Sequence, residues 1–182
     1  MIKTDLKIIA GQFKNSLIKS PASNLTHPMA EKIRGAIFNM LGDISGLAVL
    51  DAYAGSGILG IESISRGARQ AILIENNIKA YNNINQVIKD LKIEDKVSLY
   101  PINNLKWLKL SDQTFDIIFL DPPYDKVDIN ALLILASRVN QNGVIIISVP
   151  ESMVHQTMTD FKDFIFIKQK SYGSAQILFF KN

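Results

Sequence analysis

Cysteine is absent from this chain, and histidine occurs only twice, as His27 and His155, far apart and without a ligand pattern around either. The first absence excludes disulfides and thiol catalysis, and the two together argue against a metal site. No apolar run approaches the roughly 18 residues of a membrane span, and the N-terminus lacks the basic-then-apolar order of a secretory signal. Repeats and low-complexity segments are missing as well. The expectation is a soluble, cytoplasmic, monomeric protein with no metal, and 182 residues suffice for one globular domain with a full core.

Charge is present but unevenly placed. The net charge is only +3, yet the first 34 residues carry Lys3, Lys7, Lys14, Lys19, Lys32 and Arg34 against Asp5 and Glu31. A basic excess at one end could meet phosphates, and Lys14, Lys19, Lys32 and Arg34 are the expected contacts; a solvated surface with incidental lysines reads equally well from charge alone.

Residues 6–13 and 16–19 read as short strands around Lys14-Asn15, followed by a loop over 20–28, so that 1–28 forms a hairpin extension and 29–182 the main domain. From Met29, Ile33, Ile37, Met40 and Leu41 recur at helical spacing up to Gly42. Strand-like runs then alternate with helical segments: 48–52 with 58–65, 70–75 with 78–91, 97–101 with 105–108, 116–120 with 129–139, then 144–149. Such alternation predicts an α/β, doubly wound, mostly parallel sheet. The runs 164–170 and 175–180 flank Ser171-Tyr172-Gly173-Ser174 and predict a terminal antiparallel hairpin.

Two motifs carry chemistry. Asp51-Ala52-Tyr53-Ala54-Gly55-Ser56-Gly57 joins the first sheet strand to the next helix, where a ligand crevice forms in such folds. Gly55, Gly57 and Gly60 also fit the dinucleotide fingerprint, with Glu75 at the distance of a ribose contact. A pyrophosphate at this helix start, however, would have the Asp51 carboxylate as an unfavourable neighbour. S-adenosylmethionine has no phosphate. Its ammonium suits Asp51, its ribose hydroxyls suit Glu75, and its adenine amino group could be accepted by Asn103, although a turn-forming role explains Asn103 as well.

The second motif is Asp121-Pro122-Pro123-Tyr124, after the strand 116–120. An aromatic amine is a poor nucleophile because its lone pair is delocalised into the ring. Two acceptors, the Asp121 carboxylate and the Pro122 carbonyl, can bind both amino hydrogens and draw the nitrogen toward tetrahedral geometry, and Tyr124 offers a face for a flipped base. A proline-rich turn closing a buried strand is the plain alternative.

With these motifs the chain resembles the RsmD family of bacterial guanine-N2 methyltransferases acting on 16S ribosomal RNA. The resemblance runs over nearly the whole length: Ile8-Ile9-Ala10-Gly11-Gln12, Arg34, Phe38-Asn39, Asp51 through Gly57, Asp121 through Tyr124, and Tyr172-Gly173. It implies a Rossmann-like class I methyltransferase fold, with a seven-stranded sheet and an antiparallel C-terminal strand. It also implies S-adenosylmethionine as cofactor, held by Asp51, Ala54, Gly55, Gly57, Glu75, Asn103 and Asp121. Asp121, Pro122 and Tyr124 would hold the target guanine of 16S ribosomal RNA or of a small-subunit assembly intermediate. Rival readings are amino-methylation of DNA bases or protein glutamine, a nicotinamide-dependent oxidoreductase, and a non-catalytic RNA-binding module.

Overall fold

A computed structural model describes residues 5–19 and 31–182. The loop expected over 20–28 and the helix start at Met29 lie outside the described residues. The N-terminal strands β1 (Asp5–Lys7) and β2 (Leu17–Lys19) pair antiparallel, with Leu6 opposite Ile18. Both are shorter than the sequence pattern suggests, because the chain between them docks on the main domain instead of continuing the ladder. The Gln12 amide donates to the Ser65 carbonyl (2.7 Å), the Phe13 amide to Ser65 Oγ (2.9 Å), and Ser65 Oγ to the Ala10 carbonyl (2.6 Å). Gly11 is required at this contact: its φ is +82°, and a Cβ would overlap the Ser65 carbonyl. Ile8 and Ile18 are fully buried in the same apolar cluster as the helices behind the sheet.

Beyond the hairpin come α1 (Glu31–Leu41), β3 (Ala48–Asp51), α2 (Ile58–Ser65), β4 (Gln70–Ile74), α3 (Ile78–Leu91), β5 (Val97–Tyr100), α4 (Asn104–Leu108) and β6 (Phe115–Leu120). They are followed by α5 (Ile129–Ala136), β7 (Val139–Pro150), α6 (Val154–Asp160), β8 (Ile165–Tyr172) and β9 (Ala175–Lys181). The seven-stranded sheet has the order β5-β4-β3-β6-β7-β9-β8 and is parallel except for β9, which runs antiparallel to both neighbours. This is the doubly wound α/β architecture expected from the alternation.

The strands are apolar on both faces because helices cover both faces. With a side-chain period of two, Val49, Ile117, Phe119 and Ile146 pack with Phe38, Ile61 and Ile84 on one side, and Leu50, Ile118, Leu120 and Ile147 with Trp107, Leu132 and Phe161 on the other. Each such fully buried Leu, Ile or Phe contributes roughly 1.5–3 kcal/mol before the entropy of ordering is charged against it. The local signals for α3 are strong: Asn77 Oδ1 caps it by accepting from the Lys79 and Ala80 amides. Two elements depart from the sequence pattern. The helix expected to 139 stops at Ala136 and Val139 already begins β7, while α6 was not anticipated.

β3 lies inside the sheet, with β4 on one side and the central strand β6 on the other. Chain connections diverge in opposite directions there, which opens a crevice at the carboxyl ends of β3 and β6.

Candidate active site

Four strand ends supply the crevice. Asp51 closes β3, in register with Leu73 of β4 and Phe119 of β6. The turn that follows is tied to both neighbours, the Ala52 amide donating to the Phe119 carbonyl (3.1 Å) and the Ala54 amide to the Ile74 carbonyl (3.0 Å), and the Gly57 amide closes it on the Ala54 carbonyl (2.6 Å). Gly55 and Gly57 both have positive φ, but they serve differently. A Cβ on Gly57 would press on Ile84 at 3.1 Å and Ile61 at 3.3 Å, so this glycine admits the packing of α2 and α3. A Cβ on Gly55 would meet nothing nearer than the Tyr53 carbonyl at 3.9 Å. Gly55 thus leaves open space beside its backbone, while Gly57 lets the helices pack closely at the turn.

Asp51 is 1% exposed, and its Oδ2 accepts from the Gly60 amide at 3.0 Å. It caps the first turn of α2, whose N-cap residue Gly57 has no side chain to do so. The helix end that would bind a pyrophosphate thus already holds a carboxylate. Burial pushes Asp51 up to about 7; the Gly60 and Tyr53 amides oppose the shift, and the charges of Asp121 and Glu75 add to it.

Glu75 follows β4. Its Oε2 accepts from the Gly55 amide and its Oε1 from the Asn77 amide, both at 2.7 Å, and each oxygen keeps a second lone pair for a hydroxyl donor. Burial raises its pKa against those two bonds. Asp121, next after β6, is pushed up to about 6 by burial, opposed by a hydrogen bond from Ser148. Among the described residues, none of these three acids is ion-paired with a Lys or Arg, the pairs there being Glu62 with Arg34 and Arg66, and Asp112 with Arg138. Among the described residues, the crevice acids have no Lys or Arg counter-charge within ion-pair distance.

Pro122 is buried, while Tyr124 opens a short 3₁₀ turn with its side chain 37% exposed at the rim. Its Oη lies 2.8 Å from Ser148 Oγ on β7. Sequence reasoning missed Ser148. The signal was one hydroxyl in the apolar run Ile145-Ile146-Ile147-Ser148-Val149, near the carboxyl end of a strand, where sites gather in this architecture.

Asn103 takes the turn-forming role that the sequence also allowed: its Oδ1 accepts from the Lys106 amide at 2.8 Å and caps α4. The adjacent Asn104 has its Oδ1 buried without a partner among the described residues, as has Trp107 Nε1. The Asn104 side chain hydrogen-bonds Tyr53, whose phenol burial nonetheless shifts upward.

Of the expected phosphate contacts, Lys14 and Lys32 are exposed, and Lys19 has its backbone in β2. Arg34 is a correction. It is 1% exposed, its Nε reaches Glu62 Oε2 at 3.4 Å, and its Nη2 donates to the Lys7 carbonyl at 2.6 Å. The reason is helical phase: Arg34 lies one turn before Ile37 and Phe38 on the buried stripe of α1, so its guanidinium is drawn to the buried Glu62 and not to a phosphate. Among the described residues, no three His, Asp or Glu side chains are grouped to hold a metal ion, and no helix is long and apolar enough to cross a membrane.

Comparison with known proteins places this geometry in a group. The family described as Conserved hypothetical protein 95 matches residues 6–181. The putative rRNA methyltransferase YlbH of Bacillus subtilis is 29% identical over 189 residues, covering 97% of this chain and 98% of that protein. Ribosomal RNA small subunit methyltransferase D of Buchnera aphidicola subsp. Baizongia pistaciae is 33% identical over 172 residues, covering 92% and 87%. Among solved structures, the putative methyltransferase yhhF from Escherichia coli superposes with a TM-score of 0.80 at 22% identity over 98% of both chains. SMU.776, a putative methyltransferase complexed with SAH, superposes at 0.69 with 13% identity over 83% of this chain and 48% of that one. These two structural likenesses concern the fold.

Proposed function

This chain belongs to the Conserved hypothetical protein 95 family, and we propose that it is an S-adenosylmethionine-dependent methyltransferase acting on the N2 amino group of a guanine in 16S ribosomal RNA. The observation that carries the reading is the crevice of three acids with no paired Lys or Arg among the described residues, at the switch point of a methyltransferase fold. A buried negative site is completed by a cation, and the proposed cofactor carries both a sulfonium and an ammonium. Relatives named as small-subunit rRNA methyltransferases support the RNA substrate.

The residues present fit the cofactor. Asp51 would accept from the ammonium, Glu75 from the ribose hydroxyls through its remaining lone pairs, and the turn through Ala54, Gly55 and Gly57 would line the amino-acid end. The adenine amino group would find its acceptor at the second lone pair of the Asn103 oxygen, whose first caps α4. When bound, the cofactor supplies an electrophilic methyl group.

At the other side of the crevice, Asp121 and the Pro122 carbonyl accept the two amino hydrogens of the target base and turn the nitrogen lone pair out of conjugation. Tyr124, half-exposed at the rim, offers its ring to the flipped guanine. Lys14, Lys19 and Lys32 contact phosphates, with Arg34 removed from that set. The supporting experiment is single-turnover methylation of small-subunit RNA particles, with nucleoside mass spectrometry of the product. Asp121→Ala should fold and bind cofactor yet lose about 10²- to 10³-fold in rate, as when one preorganised electrostatic partner is removed. Turnover at the wild-type rate, or methyl groups on a different nucleoside, would overturn the assignment.

A further inference from the structure

One polar residue at the crevice is used by neither the cofactor nor the base in this reading. Ser148 is 3% exposed in β7, its Oγ lies 2.8 Å from Tyr124 Oη, and the pairing of Leu120 with Ile147 sets it beside Asp121, whose pKa its hydroxyl lowers. A serine hydroxyl has one proton to give. Either hydroxyl can donate across the 2.8 Å contact. When Ser148 gives its one proton to the ionised Asp121 carboxylate, the phenol is left as the donor to Ser148.

We propose that Ser148 is a positioning residue that locks the carboxylate of Asp121 and the ring of Tyr124 into one geometry, the inference resting on the amino-methyltransferase reading for its catalytic consequence. The three residues come from two adjacent parallel strands and the turn after one of them, β6 and β7 being paired through Leu120 and Ile147. Asp121 follows Leu120 directly, and Ser148 follows Ile147, so the register that builds the sheet also brings the two side chains together. Occupation of part of the carboxylate by Ser148 leaves its remaining lone pairs for the amine. Anchoring Oη fixes the ring plane on which the base stacks. The hydrogen bond also favours the ionised form of Asp121, which is the form able to accept from an amine, against the burial that raises its pKa to about 6.

The test compares wild type with Ser148→Ala, Ser148→Thr and Tyr124→Phe. In protein carrying carbon-13 at the aspartate carboxyls, with the Asp121 signal assigned by its disappearance in Asp121→Asn, Ser148→Ala should move the Asp121 titration to higher pH and Ser148→Thr should restore it. Tyr124→Phe should leave the carboxylate bond intact and shift Asp121 least. In single-turnover methylation, Ser148→Ala should lose about 10- to 100-fold, the scale of one hydrogen bond to a charged group, with cofactor affinity unchanged and its acid limb displaced upward; Ser148→Thr should recover most of the rate. An Asp121 signal that titrates alike in wild type and Ser148→Ala overturns the proposal, whether or not the RNA is methylated. A shifted signal in a protein that methylates no RNA retains the positioning role and removes the substrate assignment.

Discussion

Two buried carboxylates, one within α2 and one capping its N-terminus from β3, behave in opposite ways. Glu62, fully buried within α2, sits between two guanidiniums, Arg34 at 3.4 Å and Arg66 at 2.7 Å, and Arg66 also lies over the Phe38 ring at 4.4 Å. Asp51, buried to the same degree at the N-terminus of α2, is met among the described residues by backbone amides and by the charges of two other acids. A buried charge balanced by the chain itself is scaffold. One left unbalanced costs stability in the free protein and is satisfied when a cation arrives, which is what a cofactor site for a sulfonium requires.

The largest effect expected from this contrast is at Glu62. Glu62→Gln leaves a buried arginine without its counter-charge and should lower the unfolding free energy by about 3–5 kcal/mol in urea titration, while folded molecules bind cofactor as before. A variant as stable as wild type would dissolve the distinction between the two acids.

Asp51→Asn should act in reverse, raising the stability of the free protein and weakening S-adenosylmethionine by about 10- to 100-fold in calorimetry, the scale of a hydrogen bond to a charged group. The pH dependence has the same origin. With its folded pKa up at about 7, above its unfolded value, Asp51 binds a proton more readily in the native state, so the free protein should lose stability as pH rises from about 4 toward 7. Cofactor binding needs the carboxylate, so affinity should fall as pH drops below about 7, by up to about tenfold per pH unit and with a proton released on binding. Asp51→Asn should flatten both curves, and pH-independent affinity in wild type would place the ammonium elsewhere.

The smallest effect separates surface cations from the buried one. Lys14→Ala and Lys32→Ala should each reduce the slope of log affinity for RNA against log salt by about 0.7–0.9, leaving stability alone. Arg34→Ala should do the opposite, destabilising the fold with no change of slope in the folded fraction. Equal slopes throughout would return the lysines to ordinary surface.

Much of the framework was legible from local pattern. α2 and α3 occupy the residues that periodicity assigned, 58–65 and 78–91, because a buried helix face and an Asn cap are encoded within a few neighbouring positions. The strand cores and the terminal hairpin followed for the same reason. The strand ends carrying Asp51, Glu75 and Asp121 were equally readable, and they do converge. Less legible were the N-terminal strands, whose pattern of residues cannot register that a serine far along the chain, Ser65, takes their hydrogen bonds.

The sequence by itself determined which elements form and which chemistry stands at the strand ends, since side-chain period, caps and turn motifs act over a few residues. Tertiary structure alone decided how each polar side chain is spent. Arg34 became a clamp because Glu62 lies across from it in another helix, Asn103 became a cap because α4 starts beneath it, and Ser148 joined Asp121 because β6 and β7 pair in that register. Hydrogen bonds and ion pairs depend on distance and burial, and both are set by which elements meet, which no local pattern contains.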